Sequence, residues 1–182
     1  MIEPSEQYLP AYVAALERGW SPSTHRPDAR AEELQRIRAD PRAFLKPLCD
    51  PNALRDPIRM ADGSLVARLP GFERWMWDGD FAGSISLRWQ PGTPALPPTC
   101  LGHIGYSVVP WKRRRGYATA ALRLMLPEAR ARGLPYVEIV TDWDNAASQR
   151  VIVGNGGTLF ERFEKDAALG GGTALRFHIA LE

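Results

Sequence analysis

Gly105-Tyr106-Ser107-Val108-Val109-Pro110-Trp111-Lys112-Arg113-Arg114-Arg115-Gly116-Tyr117-Ala118-Thr119 is the stretch that decides the fold. A mostly apolar strand runs to Val109, a basic turn follows, and a helix opens at Gly116 and continues to about Arg132, where Gly133 closes it. The first N–H groups of such a helix have no intrahelical partner and point outward. The helix dipole adds positive potential there, so the end accepts phosphate. Gly116 lets the backbone approach an anion closely, and Ala118 keeps the next turn small. Lys112, Arg113, Arg114 and Arg115 raise the local potential. Taken alone, such a basic run reads as a solvated turn; the strand before it and the helix after it favour an anion site.

Outward from this stretch, the chain divides into a helical first third and a strand-rich remainder. Ser5 is expected to cap a helix carrying Leu9, Tyr12, Val13 and Leu16 on one stripe, ended by Gly19. A more polar helix is expected from Pro27 to Ala39, and Asp40 should cap a short third helix through Phe44. Residues 50–64 read as a loop. Phe72 to Trp77 and Phe81 to Trp89 flank Asp78-Gly79-Asp80, a hairpin turn signal. Past a proline-rich excursion, Leu101 to Val109 reads as a strand, and Pro127 predicts a kink or early end in the helix that follows. Tyr136 to Thr141 reads as a buried strand, and Asp144 is expected to cap a helix ending near Gly154. Thr158 to Glu164 and Thr173 to Leu181 then form a closing antiparallel pair. The order predicts one mixed α/β domain over 1–182, with a helical part over 1–64 and a sheet-containing core over 65–182.

Bulk composition narrows the functional classes. The 182 residues, 45% hydrophobic and 24% charged, suit one ordinary globular domain. No apolar run is long enough for a membrane span, and the first residues lack the pattern of a secretory signal, so a cytoplasmic protein is expected. Cys49 and Cys100 have no metal-ligand spacing, and no metal is expected. A net charge of +2 is too small to argue for nucleic acid. Lysine is scarce beside arginine, which suggests a GC-rich bacterial source. Neither a GKS/GKT loop nor GxGxxG is present, which disfavours nucleotide hydrolysis and dinucleotide redox chemistry.

Arg113-x-x-Gly116-x-Ala118 resembles the (Gln/Arg)-x-x-Gly-x-(Gly/Ala) signature of the GCN5-related N-acetyltransferases. Asp144-Asn145-Ala146-Ala147-Ser148 resembles the same family's Asn-x-x-(Ala/Ser) helix start. The likeness covers roughly the C-terminal 110 residues. It implies a mostly antiparallel central sheet flanked by helices and an enzyme that moves acetyl from acetyl-CoA to a primary amine of a small molecule, peptide or protein. It also implies that Arg113, Arg114, Arg115, Gly116, Tyr117, Ala118 and Thr119 hold the pyrophosphate. Val108 or Val109 would offer a backbone N–H to the thioester carbonyl, with Asn145 and Ser148 beside the pantetheine arm. Neither nucleic acid nor membrane is an expected partner, and a homodimer is an allowed assembly.

For catalysis, the resemblance brings the family's glutamate position close to His103, whose imidazole titrates near ~6.5 and suits a general base. Its other reading is a structural strand histidine. Glu138 and Asp142 stand next in line, acting through water. His25 and His178 have no positional support. The family's tyrosine, seven residues after the Asn, is Ile152 here, which donates no proton. Tyr106 is the substitute on the cleft strand, and an unprotonated thiolate can also leave. Trp75, Trp77 and Trp89 are candidates to line an acceptor pocket; Glu73, Asp78, Asp80 and Asp142 are candidates to attract a cationic amine. The missing tyrosine keeps a noncatalytic acyl-CoA-binding module as the second reading.

Overall fold

Two antiparallel strands, β4 (Gly71–Trp77) and β5 (Phe81–Arg88), form the hairpin around Asp78-Gly79-Asp80 that organises the N-terminal half. Gly79 takes φ +108, a conformation that favours glycine at the tip. The computed structural model describes residues 1–23, 26, 28–59 and 65–181. Ahead of the hairpin lie α1 (Leu9–Glu17), α2 (Ala29–Ala39), α3 (Pro41–Leu45) and the two-residue strands β1 (Cys49–Asp50), β2 (Ile58–Arg59) and β3 (Leu65–Val66). After it come β6 (Ile104–Val108), α4 (Tyr117–Ala131), β7 (Tyr136–Asp142), α5 (Ala146–Val153), β8 (Thr158–Glu164) and β9 (Thr173–Ala180). The expected α/β class and closing antiparallel pair are both present.

Several boundaries depart from the sequence expectation. Ser5 does not cap α1 with its side chain; its carbonyl instead accepts the N–H groups of Tyr8 and Leu9. Pro27 and His25 lie outside the described residues. Where 50–64 was expected as loop, Asp50 ends β1, which pairs with β4, and Ile58–Arg59 form β2, which pairs with β3 just beyond. Pro127 does not end α4, which runs on to Ala131. Asn145 rather than Asp144 caps α5, its Oδ1 accepting from Ser148 N–H at 3.1 Å. The expected Asp40 cap is present, accepting from Arg42 and Ala43.

The main sheet opens in its middle. β1-β4-β5-β6 make one ladder and β7-β9-β8 another, so β6 and β7 are facing edges. Each side of the first ladder has its own core, because side chains alternate along a strand. Phe72, Met76, Ile85, Leu87 and Ile104 pack against Leu122 and Met125 of α4. Trp75 and Phe81 pack on the other side against Tyr12, Leu16, Trp20 and Phe44 of the N-terminal helices. The tryptophans considered as pocket lining therefore part company. Trp75 is fully buried and stacks on Tyr12 at 4.7 Å, Trp77 meets Tyr8, and Trp89 belongs to the opposite core.

Candidate active site

The gap between the ladders is closed at one end by His103. Its backbone N–H donates to the Glu138 carbonyl at 2.8 Å, and its Nδ1 accepts from the Glu138 N–H at 2.9 Å. These two bonds hinge β6 to β7; beyond them the strands part. The ring is fully buried, and the accepting Nδ1 puts the proton of the neutral form on Nε2. Among the described residues Nε2 reaches no partner in hydrogen-bond geometry, although the Pro94 backbone acts to raise the ring's value. Burial, opposed by the Glu138 carboxylate, holds the imidazole below its ordinary value. The expectation that His103 is a base turned into the cleft is corrected: its accepting nitrogen is already spent on the fold.

Replacing His103 with Leu should cost about 2 kcal/mol in denaturant unfolding, because the Glu138 N–H loses its acceptor. The pH dependence has a definite sign. A lowered folded value means that the unfolded chain binds the proton first as pH falls below ~6.5, so wild type loses stability there and the variant loses less. An unchanged acid limb of stability in the variant would refute this hinge role.

Past the hinge, the register decides which N–H groups face the gap. Val109 N–H donates to the Ala82 carbonyl and Arg88 N–H to the His103 carbonyl, so the odd positions of β6 bond to β5. Alternation turns the N–H groups of Tyr106 and Val108 toward β7, where no ladder meets them. Val109 is thereby removed as a carbonyl-binding donor, since its N–H is committed and the residue is fully buried; Val108 keeps that option.

The basic turn lies where β6 leaves this gap. Gly116 takes φ +83 as the residue before α4, and Arg114 takes φ +60. Arg113 Nε reaches back to the Val108 carbonyl at 3.2 Å. Arg113, Arg114 and Arg115 are exposed, and none meets a carboxylate within ion-pair distance among the described residues. Lys112 differs: Asp78 takes it at 2.7 Å and Asp80 at 3.6 Å, and Tyr117 donates to the other Asp78 oxygen. The bonds from Lys112 and Tyr117 hold the Asp78 carboxyl down at about 2. Asp78 and Asp80 thus tether the hairpin tip to the basic turn, which occupies the charges considered for attracting an amine.

On the far side of the gap, Tyr106 O–H meets Ser148 Oγ at 2.8 Å and its carbonyl at 3.3 Å, bracing β6 against α5. Burial pushes the phenol up to about 12. Ile152 is fully buried, and a Cβ on Gly157 would fall 2.4 Å from its Cγ2. Ile152→Val should therefore leave turnover nearly unchanged and cost about 1 kcal/mol of stability. A large loss of turnover in a folded variant would mean that α5 presents Ile152 to the chemistry.

Glu73 is a carboxylate that lines a cavity and is held toward its protonated form. It shares a strand face with Trp75, whose Nε1 donates to it at 2.9 Å, and it pairs across the hairpin with Ser86. It lies among densely packed atoms yet keeps some exposed surface, because it lines a cavity of about 400 Å³ that opens to solvent. Burial raises it to about 7; Trp75 opposes the rise, Glu33 adds to it, and Arg88 opposes it. Glu33, on α2, is itself raised by burial and accepts from Tyr12 O–H. A second cavity of about 150 Å³, lined by Gly105, Val140, Thr141 and Asp142, sits in the gap itself. Arg88 lines both cavities. The other two candidate acids are occupied: Glu138 faces His178 at 3.1 Å and Arg176 at 3.7 Å, and Asp142 holds Lys165 at 2.6 Å. Glu73 was legible only as an amine-attracting charge. Its alternation in phase with the buried Trp75 was the signal that it points inward.

Comparison with known proteins agrees with this arrangement. The family described as Acetyltransferase (GNAT) domain matches residues 23–158. None of the curated proteins compared matches the sequence. Among solved structures, the microcin C7 self-immunity acetyltransferase MccE, in complex with acetyl-CoA and AMP, superposes with TM-score 0.65 at 13% identity, over 98% of this chain and 89% of that one. RimL, the ribosomal L7/L12 alpha-N-protein acetyltransferase in complex with coenzyme A, gives 0.62 at 16% identity, over 99% and 92%. The Salmonella typhimurium acetyltransferase that modifies the N-terminal serine of L7/L12 gives 0.62 at 16%, over 98% and 92%. At these identities the likeness is one of fold.

Proposed function

The chain belongs to the acetyltransferase (GNAT) family, with acetyl-CoA as cosubstrate, and from that premise we propose how its residues divide the work of acetylating a primary amine. The observation that carries the reading is Glu73, a carboxylate raised to about 7 in a cavity that shares Arg88 with the gap between the ladders. A base of that strength is half ionised at neutral pH and still strong enough to take a proton.

The residues present suit acetyl-CoA on this structure's own terms. An open strand edge leads to a positive-φ glycine at a helix start, beside three exposed arginines without carboxylate partners among the described residues. Acetyl-CoA supplies the acetyl group as a thioester, whose carbon–sulfur bond breaks as the carbon–nitrogen bond forms, the electron pair leaving with sulfur. Arg113, Arg114, Arg115 and the amides of Gly116, Tyr117, Ala118 and Thr119 hold the pyrophosphate. Val108 N–H, and Tyr106 N–H beside it, are the donors for the thioester carbonyl. Glu73 removes the proton from the attacking nitrogen, directly or through one water. Tyr106, at about 12, is a reluctant acid and serves to brace the cleft, so the thiolate leaves unprotonated. Asn145 and Ser148 set the start of α5 beside the pantetheine path through the Asn145 cap.

We also read the whole chain as one domain and the protein as bacterial and cytoplasmic, on the composition argued above. Thiol release from acetyl-CoA with a panel of amines tests the assignment. Amine-dependent release supports it. Tight acetyl-CoA binding with no release for any amine would favour the noncatalytic reading.

A further inference from the structure

The larger cavity has an unusual charge for a site that receives an amine. Among the described residues, three arginines, Arg55, Arg68 and Arg88, line it with one carboxylate, Glu73. Arg55 is neutralised by Asp50 at 2.9 Å. Arg68 is half-buried and uses Nε on the Asp56 carbonyl at 2.8 Å. Arg88 is half-buried and sits where the cavity meets the gap. Among the described residues its guanidinium makes one hydrogen bond, from Nη2 to Ser86 Oγ at 3.3 Å, and has no carboxylate within ion-pair distance. Ser86 Oγ in turn leans on the Gly105 carbonyl at 3.4 Å, which fixes where the guanidinium stands. Gly105 leaves room for it: a Cβ there would lie 3.1 Å from Arg88 Nη2.

Arg88 is half-buried and feels Glu73 only from beyond ion-pair distance, so an incoming anion gains two parallel charge-assisted bonds from its guanidinium. Glu73 stands opposite Ser86 across the hairpin, and Arg88 is two residues further along β5, about 7 Å by strand rise. A negative and a positive group at that spacing on one strand face complement a molecule with an ammonium and an anion a few bonds apart. We propose that the acetyl acceptor is such an amine, carrying a carboxylate or phosphate close to its nitrogen, and that Arg88 binds this anion while Glu73 faces the amine. The inference rests on the proposed role of Glu73 as base for the placement of the nitrogen; the anion contact to Arg88 stands without it. Leu48, Val66, Leu69 and Pro97 supply apolar wall for the rest of a small acceptor. The two bonds that the guanidinium can offer an anion make Arg88 a specificity-determining residue rather than part of the acetyl-CoA grip.

The test pairs each anionic acceptor with its neutral counterpart. Free α-amino acids are compared with their amides, and phosphoethanolamine with ethanolamine, by thiol release from acetyl-CoA. In parallel, calorimetry measures binding of the same compounds to the full chain saturated with CoA. The expected result is kcat/KM at least tenfold higher for the anionic member of one pair. Whether the carboxylate or the phosphate pair shows the preference identifies the anion. Arg88→Met should abolish that preference through KM and leave acetyl-CoA affinity within about twofold, and Arg88→Lys should keep part of it. Equal or better use of the neutral members, a preference that survives Arg88→Met, or no anionic amine bound at all would each overturn the proposal. Anion binding that Arg88→Met removes, in a protein that releases no thiol, would sink the transferase assignment and leave the anion site standing.

Discussion

Glu73→Gln lowers turnover on the order of a hundredfold or more while acetyl-CoA affinity stays within about twofold, because removal of a general base costs that much in rate and the pyrophosphate grip is elsewhere. The substitution is nearly isosteric, and the glutamine oxygen can still accept from Trp75 Nε1. The pH dependence follows from the raised carboxyl. In wild type the rate rises with pH through about 7, as Glu73 loses its proton and becomes able to accept one; in the variant that limb is absent. The acceptor's own ionisation contributes a limb to both proteins, so the comparison is made on one substrate. Stability moves the other way. A folded value raised above the ordinary 4.5 means that the folded chain keeps its proton where the unfolded chain has lost it, so stability falls as pH rises through about 7. Glutamine removes that loss, and above pH 7 the inactive variant should melt at or above the wild-type temperature. Near-full turnover with an unchanged profile would move the base elsewhere, with Glu33 the next buried carboxyl on the same side.

Gly116→Val weakens acetyl-CoA binding by about a hundredfold in calorimetric titration, through two effects that add. The residue takes φ +83, where a β-branched side chain is strained. Apart from its chain neighbours, none of the described residues lies within 4 Å of where its Cβ would be, so the side chain would project into open space beside the first amides of α4. There it would hold an anion off N–H groups whose charge-assisted bonds contribute roughly 1.5–3 kcal/mol each. The mutation should leave the core intact, because Gly116 is exposed. Equal affinity of variant and wild type would place the pyrophosphate away from this turn. A variant that binds weakly but turns over normally at saturating acetyl-CoA would fit a role in grip alone.

The local structure legible in the chain is the part built from neighbours in sequence. The basic turn with Gly116, the hairpin at Gly79 and the helix that begins beside Asn145 each depend on local backbone chemistry. Parts that depend on partners far away were read less well. His103 has the residue type of a base, and only the Glu138 N–H, 35 positions on, reveals that its nitrogen is taken. Asp78 and Asp80 look like free charges until Lys112 and Tyr117 arrive from the basic turn. Glu73 looks like one polar position in an aromatic strand until Trp75, Glu33 and Arg88 surround it.

The sequence by itself determined the order of strands and helices, the basic turn before a helix and the family. Periodicity, glycine conformations and helix ends are local properties, carried by residues a few positions apart. Only the tertiary structure decided which titratable groups are free to act. A proton affinity depends on burial and on charges within a few ångströms, whatever their separation along the chain. Folding spent the Nδ1 of His103 on the hinge between two ladders, and it withdrew Glu73 from water far enough to raise its carboxyl to about 7.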